Sequence, residues 1–396
     1  MKTVIHPALK YSFTDLIIGL MEEVRKGIVK RTDKGNLSLF NYKIIQDKKE
    51  WNDFSMIARG IVLDIEQKRI IALPFPKFFN YGEVSSEIPP INFTAFEKLD
   101  GSLGIIYYAN GDWQVNTRGS FDSWQAKKAK EMLDKYVNKQ FLDRNCTYLA
   151  EIIIKGNQIV VDYPFEGLGL LSGYNNKTGV ELPEYSISSI TSKTFFFMPI
   201  RQNSSFEYLL RLSKSKRHNA EGFVVRFNNG YRVKIKYEEY LRIHRVISKV
   251  TPLGIWDMMK NNDDIEEVRS ILPEEHIDKF DEIFKRLYGT YIILIDEIRN
   301  AEIESERLSD KAIGLKIKEN PDKFSEIVRT FIFFARKGKF YDNVKIAGKT
   351  RNSLFKHFRP TENEYHENTV KIKTCMYIVK CLKETKEVIK NYKKGI

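Results

Sequence analysis

The spacing of apolar residues changes once along this chain, near residue 245, and that change limits the folds that the chain can adopt. Before it, apolar residues form short alternating runs, which predict β-strands separated by turns. After it, they recur every three or four residues over long stretches, which predicts amphipathic helices. We therefore predict an α+β protein with two domains. Residues 1–245 form antiparallel sheets with flanking helices, and residues 246–396 form an all-helical domain.

Individual elements follow from the same patterns. A helix is predicted after Ser12 within the first 30 residues, because Leu16, Leu20 and Val24 recur at helical spacing. Additional predicted strands are Leu168–Tyr174 and Thr194–Pro199; additional predicted helices are Trp124–Lys139, Tyr208–Lys216, Lys279–Asn300, Phe324–Ile332 and Lys371–Ile396. The last of these holds eight lysines against two glutamates and is a candidate phosphate-contacting face.

The charge balance favours a polyanionic partner. Lysine and arginine number 65 against 52 aspartates and glutamates, a net charge of +13, and the sequence pI is about 9.3. Three cysteines without a paired spacing exclude a disulfide framework and argue against a structural zinc site. No apolar run approaches the roughly 20 residues of a membrane span. We expect a cytoplasmic protein without a membrane partner.

Lys98 is the candidate nucleophile. It stands before the turn Asp100-Gly101-Ser102, between the strand-like runs Ile91–Phe96 and Leu103–Tyr108. A lysine beside a turn that approaches a phosphate closely becomes nucleophilic when nearby positive charge lowers its pKa. The alternative is a surface lysine before an ordinary Asp-Gly hairpin turn.

Three other segments bring cations to strand ends or loops. Arg59-Gly60 leads directly into a strand, and Arg118 follows the predicted strand Trp113–Thr117. The loop Pro74–Tyr81 carries Lys77 among aromatic residues, including Phe79, so that it can offer a ring face to a base and a cation to a phosphate. The rings can equally serve as packing.

Carboxylates and a lysine pair complete the set. Glu151 lies inside the apolar run Tyr148–Ile154, and Glu221-Gly222 opens another strand. A lone glutamate such as Glu151 is costly to bury in a strand unless it has a partner, so Glu151 lies either on the solvent face or in a site. Lys234 and Lys236 alternate along a strand, so both ammonium groups lie on one face, where an anion would stabilise them. Together these segments predict a site for ATP and a divalent metal in which Lys98 attacks the α-phosphorus.

In this set of motifs the chain resembles the covalent lysyl nucleotidyltransferases, and within them the ATP-dependent RNA ligases of the phage RNA ligase 1 type. The motifs that carry the resemblance occur in that family's order over residues 35–245; they are Arg59-Gly60, Lys77-Phe78-Phe79-Asn80, Lys98-Leu99-Asp100-Gly101-Ser102-Leu103, Arg118-Gly119-Ser120, Glu151, Glu221-Gly222 and Lys234-Ile235-Lys236 with Tyr240.

The resemblance implies a three-step reaction. Lys98 becomes adenylylated from ATP with Mg²⁺ or Mn²⁺, AMP passes to the 5′-phosphate of an RNA, and a 3′-hydroxyl displaces AMP. It implies that Glu151 contacts the sugar, that Arg59 and Lys77 contact phosphates, and that Lys234 and Lys236 contact the α-phosphate. Glu221 is the predicted metal-side carboxylate, with Asp263 as a second metal candidate. Gly101, Phe79 and Arg118 are predicted to line the nucleotide site, and Tyr240 to serve a later step or the RNA.

Two positions depart from the family pattern. Arg118 replaces a frequent lysine, and Phe40 or Tyr42 stands where a tyrosine near the nucleotide is expected. The helical second domain fits this branch, whose members carry a helical module thought to engage tRNA. We expect a monomer acting on RNA ends, with cleaved tRNA as one candidate substrate.

Two other classes of protein share some of these features. A DNA ligase or capping enzyme has the same lysine chemistry but a β-barrel after the lysine-pair strand. An RNA-binding protein without catalysis would keep the basic surface, but it would not require Lys98, Glu221, Lys234 and Lys236 together.

Overall fold

The computed structural model describes residues 3–43, 51–83, 88–157, 160–272, 274–342, 345–346 and 348–361. The chain divides into two compact units, Met1–Arg242 and Ile243–Ile396. The predicted basic helix Lys371–Ile396, with Cys375 and Cys381, lies outside the described residues. No helix in the described part of the chain is both long enough and apolar enough to cross a membrane.

The first unit combines antiparallel strands with short helices. Its strands are β1 (Val29–Lys34), β2 (Leu37–Tyr42), β3 (Arg59–Asp64), β4 (Arg69–Ala72), β5 (Phe93–Glu97), β6 (Ser102–Ala109), β7 (Asp112–Thr117), β8 (Cys146–Ile153), β9 (Gly167–Asn175), β10 (Arg201–Gln202), β11 (Gly222–Phe227) and β12 (Arg232–Lys236). Its helices are α1 (Phe13–Arg25), α2 (Asp53–Ile57), α3 (Trp124–Tyr136), α4 (Glu184–Thr191) and α5 (Phe206–Ser213). The division between the units falls within α6 (Glu238–Ile247).

These strands form three antiparallel sheets of four strands. Sheet I has the order β1-β2-β3-β4, sheet II the order β7-β6-β8-β9, and sheet III the order β10-β5-β11-β12. The predicted runs on either side of Lys98 become β5 and β6, which belong to different sheets. The Lys98 turn is therefore a crossover from sheet III to sheet II, which rules out the hairpin interpretation.

Sheet II is buried on both faces. Successive residues of its strands are apolar and point to opposite faces, so each face packs against a core. Ile105 of β6 packs with sheet I and α1, as does Leu149 of β8. Their sequence neighbours Ile106 and Ala150 face the opposite way and pack against α3 and α4. The predicted helix after Ser12 is confirmed: the Ser12 side chain accepts a hydrogen bond from the Asp15 backbone and so caps α1.

Two segments of the first unit differ from, or add to, the sequence prediction. The strand predicted at Thr194–Pro199 is wrong, since this segment forms only an isolated bridge through Phe197, which exchanges backbone hydrogen bonds with Leu168 and Leu170. The loop after β4 runs beside β12, where the Lys234 N–H donates to the Phe79 carbonyl at 3.0 Å. This pairing joins the Lys77 loop to the lysine-pair strand.

The described part of the second unit is mainly helical. Its helices are α7 (Pro252–Asn261), α8 (Ile265–Ile271), α9 (Glu274–Glu304), α10 (Asp310–Glu319), α11 (Glu326–Arg336) and α12 (Gly348–Lys356). The stripe predicted from Lys279 lies on α9, whose Phe280 and Ile283 are buried. A two-stranded hairpin, β13 (Tyr341–Asp342) with β14 (Lys345–Ile346), departs from the all-helical prediction.

Candidate active site

Lys98 is held at the point where the chain leaves sheet III. Its backbone N–H donates to the Gly222 carbonyl at 2.8 Å, which extends the pairing of β5 with β11 by one residue. Its Nζ lies 2.7 Å from Oε2 of Glu221 and also donates to the Leu99 carbonyl at 3.2 Å. The Lys98 side chain is 20% exposed, so it is accessible from one side of a largely enclosed site.

Glu221 connects Lys98 to the lysine-pair strand. Its other oxygen, Oε1, lies 2.7 Å from the Lys236 Nζ, and the carboxylate is only 3% exposed. The approach of β11 to β12 depends on Gly222, which has φ +145°, because a Cβ there would lie 2.1 Å from the Ile235 carbonyl oxygen. One buried carboxylate therefore bridges the two lysines.

Gly101 brings the turn against β8. A Cβ at this position would lie 2.5 Å from the Ile152 carbonyl oxygen, so only glycine fits without movement of the backbone. The Gly101 N–H donates to Oε1 of Glu151 at 3.1 Å. The site thus holds two nearly buried carboxylates, Glu151 and Glu221, around one lysine.

These contacts correct the predicted protonation of Lys98. Burial lowers its pKa, but the Glu221 and Glu151 carboxylates outweigh burial, and the pKa of Lys98 lies above the ordinary lysine value. The prediction that neighbouring cations keep Lys98 deprotonated is wrong for this arrangement. Burial raises the pKa of Glu151 to about 7, against the opposing charge of Lys98.

The lysine with a depressed pKa is instead Lys234. Burial and the charges of Arg59, Lys77, Lys98 and Lys236 lower its pKa to about 7. Among the residues that the structure describes, the Nη1 atom of Arg59 is buried and has no hydrogen-bond partner. Cations brought together in this way, one with an unused donor, form a site for an anion of high charge.

Aromatic rings hold the outer cations. The Lys77 Nζ lies 4.7 Å from the ring centre of Phe79 and 5.3 Å from that of Trp51. The Arg118 guanidinium lies 4.9 Å from the ring centre of Tyr42 and donates to its hydroxyl at 3.0 Å. Trp51 and Tyr42 meet edge to face at 4.9 Å, so one aromatic cluster supports both cations.

Phe40 and Tyr42 have different surroundings in the structure. Phe40 is fully buried in the core between α1, sheet I and sheet II, so its ring has no exposed surface for the predicted contact with a nucleotide. Tyr42, two residues further along β2, reaches Arg118. The core packing of Phe40 was not separable from a site role by sequence spacing alone.

Asp100 and Tyr240 form a buried support beneath the turn. The Tyr240 hydroxyl donates to Oδ1 of Asp100 at 2.8 Å, and Oδ2 accepts from the Val160 and Val161 backbones at 2.9 and 3.0 Å. Tyr240 is 2% exposed and its ring lies under the Lys236 ammonium, so it is not a surface contact for RNA here. The sequence pattern does not mark Asp100 as a support for the turn, although Asp100 belongs to the Lys98 motif.

The two predicted metal ligands, Glu221 and Asp263, lie in different units of the chain. Within the described residues, no group of three or more His, Cys, Asp or Glu side chains is arranged to hold a metal ion. Asp263 follows α7 in the second unit, beside Asp264, whose side chain caps α8. Its role in metal binding stays a prediction.

A pocket opens beside the Gly101 turn. Its volume is about 280 Å³, and its lining includes Asp100, Gly101, Asn157 and Tyr163. The Tyr163 hydroxyl accepts a hydrogen bond from the Asp100 N–H at 2.8 Å. Tyr163 had no recognisable sequence signal, because only folding brings it to the turn.

Comparison with known proteins finds RNA ligases that are similar to this region. The RNA ligase family model matches residues 57–240. A putative bifunctional polynucleotide kinase/RNA ligase of Autographa californica nuclear polyhedrosis virus is 25% identical over an alignment of 334 residues, and the match covers 76% of this chain and 45% of that protein. An RNA ligase of Rhodothermus phage RM378 is 24% identical over 385 residues, covering 76% of this chain and 87% of the phage protein.

Among solved structures, Naegleria gruberi RNA ligase with PPi is 20% identical, with a TM-score of 0.32; the match covers 39% of this chain and 51% of that one. The chain thus spans about half the length of this ligase and of the baculovirus protein. The matched residues 57–240 include the site from Arg59 to Tyr240, so this part of the chain is similar to the RNA ligase family.

Proposed function

We propose that this protein is an ATP-dependent RNA ligase that joins a 5′-phosphate end to a 3′-hydroxyl end through a lysyl-AMP intermediate at Lys98 and an RNA-adenylate. A role in the repair of broken RNA, including cleaved tRNA, is part of the proposal. The observation that carries it is the convergence of Arg59, Lys77, Lys234 and Lys236 on a lysine that is paired with a buried carboxylate.

In the first step the Lys98 amine forms a nitrogen–phosphorus bond to the α-phosphorus of ATP. The bond between that phosphorus and the bridging oxygen breaks, and pyrophosphate leaves with the electron pair. Nζ gives up a proton, for which Oε2 of Glu221, 2.7 Å away, is the nearest acceptor. An anion placed against Lys236, and against Lys234 once Lys234 is protonated, meets oriented positive charge that stabilises the developing negative charge.

The remaining side chains would contact different parts of the nucleotide. Arg59, with its unused Nη1 donor, and Lys77 would hold the leaving phosphates. Glu151, fixed by the Gly101 N–H, would accept from a sugar hydroxyl. Arg118 and Phe79 would border the same site.

A divalent cation, Mg²⁺ or Mn²⁺, fits this donor set. Mg²⁺ is commonly bound through one or two carboxylates together with substrate phosphates, and Glu221 and Glu151 are two carboxylates in one site. When bound, the cation would neutralise phosphate charge and lower the pKa of Lys98.

In the second step a 5′-phosphate oxygen of the RNA attacks the lysyl-AMP phosphorus, and the Lys98 amine leaves. In the third step the 3′-hydroxyl oxygen attacks the 5′-phosphorus, and AMP leaves. We also propose that the helical second domain, residues 246–396, binds the ends of RNA or tRNA.

The two alternative functions, RNA binding without catalysis and DNA ligation or capping, would require different structural features. RNA binding alone needs no buried carboxylate between Lys98 and Lys236. DNA ligases and capping enzymes commonly carry a β-barrel after the lysine-pair strand, whereas the described residues after β12 form helices and one short hairpin.

The test is transfer of label from α-labelled ATP to the purified protein with Mg²⁺. We expect an acid-labile label that is lost in Lys98→Ala and kept in Lys177→Ala, which removes an exposed turn lysine. A chase with 5′-phosphorylated RNA or DNA then identifies the acceptor. Absence of label in a folded protein free of bound AMP would refute the ligase proposal.

A further inference from the structure

Three exposed aromatic rings lie together on the first unit, outside the site described above. We call them, with two lysines, the aromatic patch: Tyr136, Phe141 and Phe195, with Lys135 and Lys193. The rings are 47%, 40% and 74% exposed, respectively. Large apolar side chains that share one exposed surface indicate a binding surface more often than isolated ones do.

Two chain segments interlock to form the patch. The Phe195 and Tyr136 rings lie 5.7 Å apart and are tilted by 35°. The Lys193 Nζ lies 5.5 Å from the ring centre of Phe141. The segment after α4 therefore touches both the end of α3 and the turn that follows it, and the three rings form one surface.

The exposed rings are not needed to complete the core. Val137 and Leu142, next in sequence to Tyr136 and Phe141, are buried in the core beneath sheet II. Phe196, next to Phe195, is buried in the same core. Each segment thus already has an apolar anchor, and its outward ring contributes little to folding.

Charge complementarity selects the partner. The Lys135 Nζ lies 4.9 Å from the ring centre of Tyr136, and within the described part of the chain neither Lys135 nor Lys193 forms an ion pair with a carboxylate. The acidic neighbour Asp134 is already paired with Lys130 and Lys139. The Lys135 ammonium instead contacts the Tyr136 side chain. Rings beside ammonium groups that no carboxylate neutralises match the bases and phosphates of a single-stranded nucleic acid.

The patch lies on a different side of sheet II from the nucleophile. Glu151 on β8 is opposite Leu103, which packs towards sheet I. Val137, Leu142 and Phe196, the buried sequence neighbours of the patch rings, pack on the other face of the sheet, with α3 and α4. An RNA that reaches both places has to be long enough to pass around the sheet.

We propose that the aromatic patch binds a single-stranded segment of the RNA substrate at a distance from the ends being joined. This proposal rests on the proposed function for the identity of the polymer. Bases stack on Tyr136, Phe141 and Phe195, and Lys135 and Lys193 contact the adjoining phosphates.

The experiment compares wild type with the double variant Tyr136→Ala/Phe195→Ala, whose changed side chains are exposed. Fluorescence anisotropy measures binding of 5′-phosphorylated single strands of about 4 and about 16 nucleotides, the span of common single-strand sites. We expect the variant to bind the longer strand at least about tenfold more weakly, to bind the shorter strand as wild type does, and to form lysyl-AMP at the wild-type rate.

The control is Tyr208→Ala, which removes an exposed ring that lies 5.2 Å from Arg211 but outside the patch. Tyr208→Ala should leave binding of the longer strand unchanged. Photocrosslinking of the longer strand to wild type, followed by mass spectrometry, should label peptides that contain Tyr136 or Phe195.

Several outcomes would overturn the patch proposal. These are equal binding of the longer strand by variant and wild type, crosslinks that avoid both peptides, or a wild-type dimer that the variant loses while RNA binding stays the same. The labelling reaction separates the two proposals. Failure of lysyl-AMP formation in wild type refutes the ligase function, whereas the crosslinks and the difference in binding between the short and the long strand test the patch proposal.

Discussion

The Nζ atom of Lys98 lies 2.7 Å from Oε2 of Glu221, although 123 positions separate the two residues in the sequence. This contact favours the charged form of the nucleophile, because the Glu221 carboxylate, together with that of Glu151, outweighs the effect of burial on the pKa of Lys98. Ligation requires the free amine, so the ion pair has to be relieved when substrate binds.

Glu221→Gln should therefore lower the pKa of Lys98 in the protein without nucleotide. Burial then acts with less opposition, and the pKa of the ammonium falls. NMR titration of the lysine Nζ groups measures the shift directly. Glu184→Gln, which removes an exposed partner of Arg201, should leave the Lys98 titration unchanged, and an unchanged Lys98 pKa in Glu221→Gln would contradict this account.

Pyrophosphate or ATP should bind with uptake of a proton at about pH 8. The pKa of Lys234 is lowered to about 7, so this group is mostly neutral there, and a phosphate beside it favours the charged form. Calorimetric titration in buffers of different ionisation enthalpy measures the proton count. Lys234→Met should abolish the uptake that Lys234 supplies; identical uptake in wild type and variant would assign it to another group.

The same depressed pKa predicts a stability effect of Lys234. A lysine whose pKa is lower in the folded than in the unfolded state destabilises the fold fully below about pH 7, and the penalty fades as pH rises towards the unfolded value. Lys234→Met should thus raise the free energy of unfolding most at or below pH 7. Urea unfolding at several pH values tests this, and a gain that does not shrink between pH 7 and pH 10 would contradict it.

Tyr240→Phe should lower the free energy of unfolding by about 1–3 kcal/mol, because a buried carboxylate loses a hydrogen-bond donor. The Tyr240 hydroxyl donates to Asp100 at 2.8 Å, and Asp100 anchors the segment around Val160 and Val161. The matched control is Tyr237→Phe, whose hydroxyl accepts only a 3.3 Å bond from the more exposed Arg217. Equal costs in urea unfolding would show that Asp100 does not depend on Tyr240.

Trp51→Ala should raise the KM for ATP in lysyl-AMP formation by more than it lowers kcat. The Trp51 ring lies beside Phe79, 5.3 Å from the Lys77 Nζ, and meets Tyr42. Its loss therefore frees a phosphate-binding cation without touching Lys98. Trp51→Phe keeps a ring and should recover most of the wild-type KM. A fall in kcat alone, or no recovery with phenylalanine, would indicate another role for Trp51.

Much of the site was predictable because it consists of short motifs at strand ends. Alternation placed Lys234 and Lys236 on one strand face, and the turn glycines marked Lys98 and Glu221 as positions of close backbone approach. Trp51 and Tyr163 gave no such signal, since each reaches the site from a loop whose path depends on distant packing. Phe40 shows the opposite error, in which a core residue is predicted to lie in the site. Phe40 and Tyr42 are two positions apart on β2, so the strand pattern does not distinguish the core residue from the one that reaches Arg118.

By itself the sequence determined the α+β class, the change of architecture near residue 245 and the residue types of the site, because local periodicity and turn chemistry encode them. Only the tertiary structure decided that β5 and β6 lie in different sheets, that Glu221 joins Lys98 to Lys236, and that Lys234 rather than Lys98 has the depressed pKa. Strand partners and protonation equilibria depend on burial and on charges brought together from distant positions, and no local pattern in the chain specifies either.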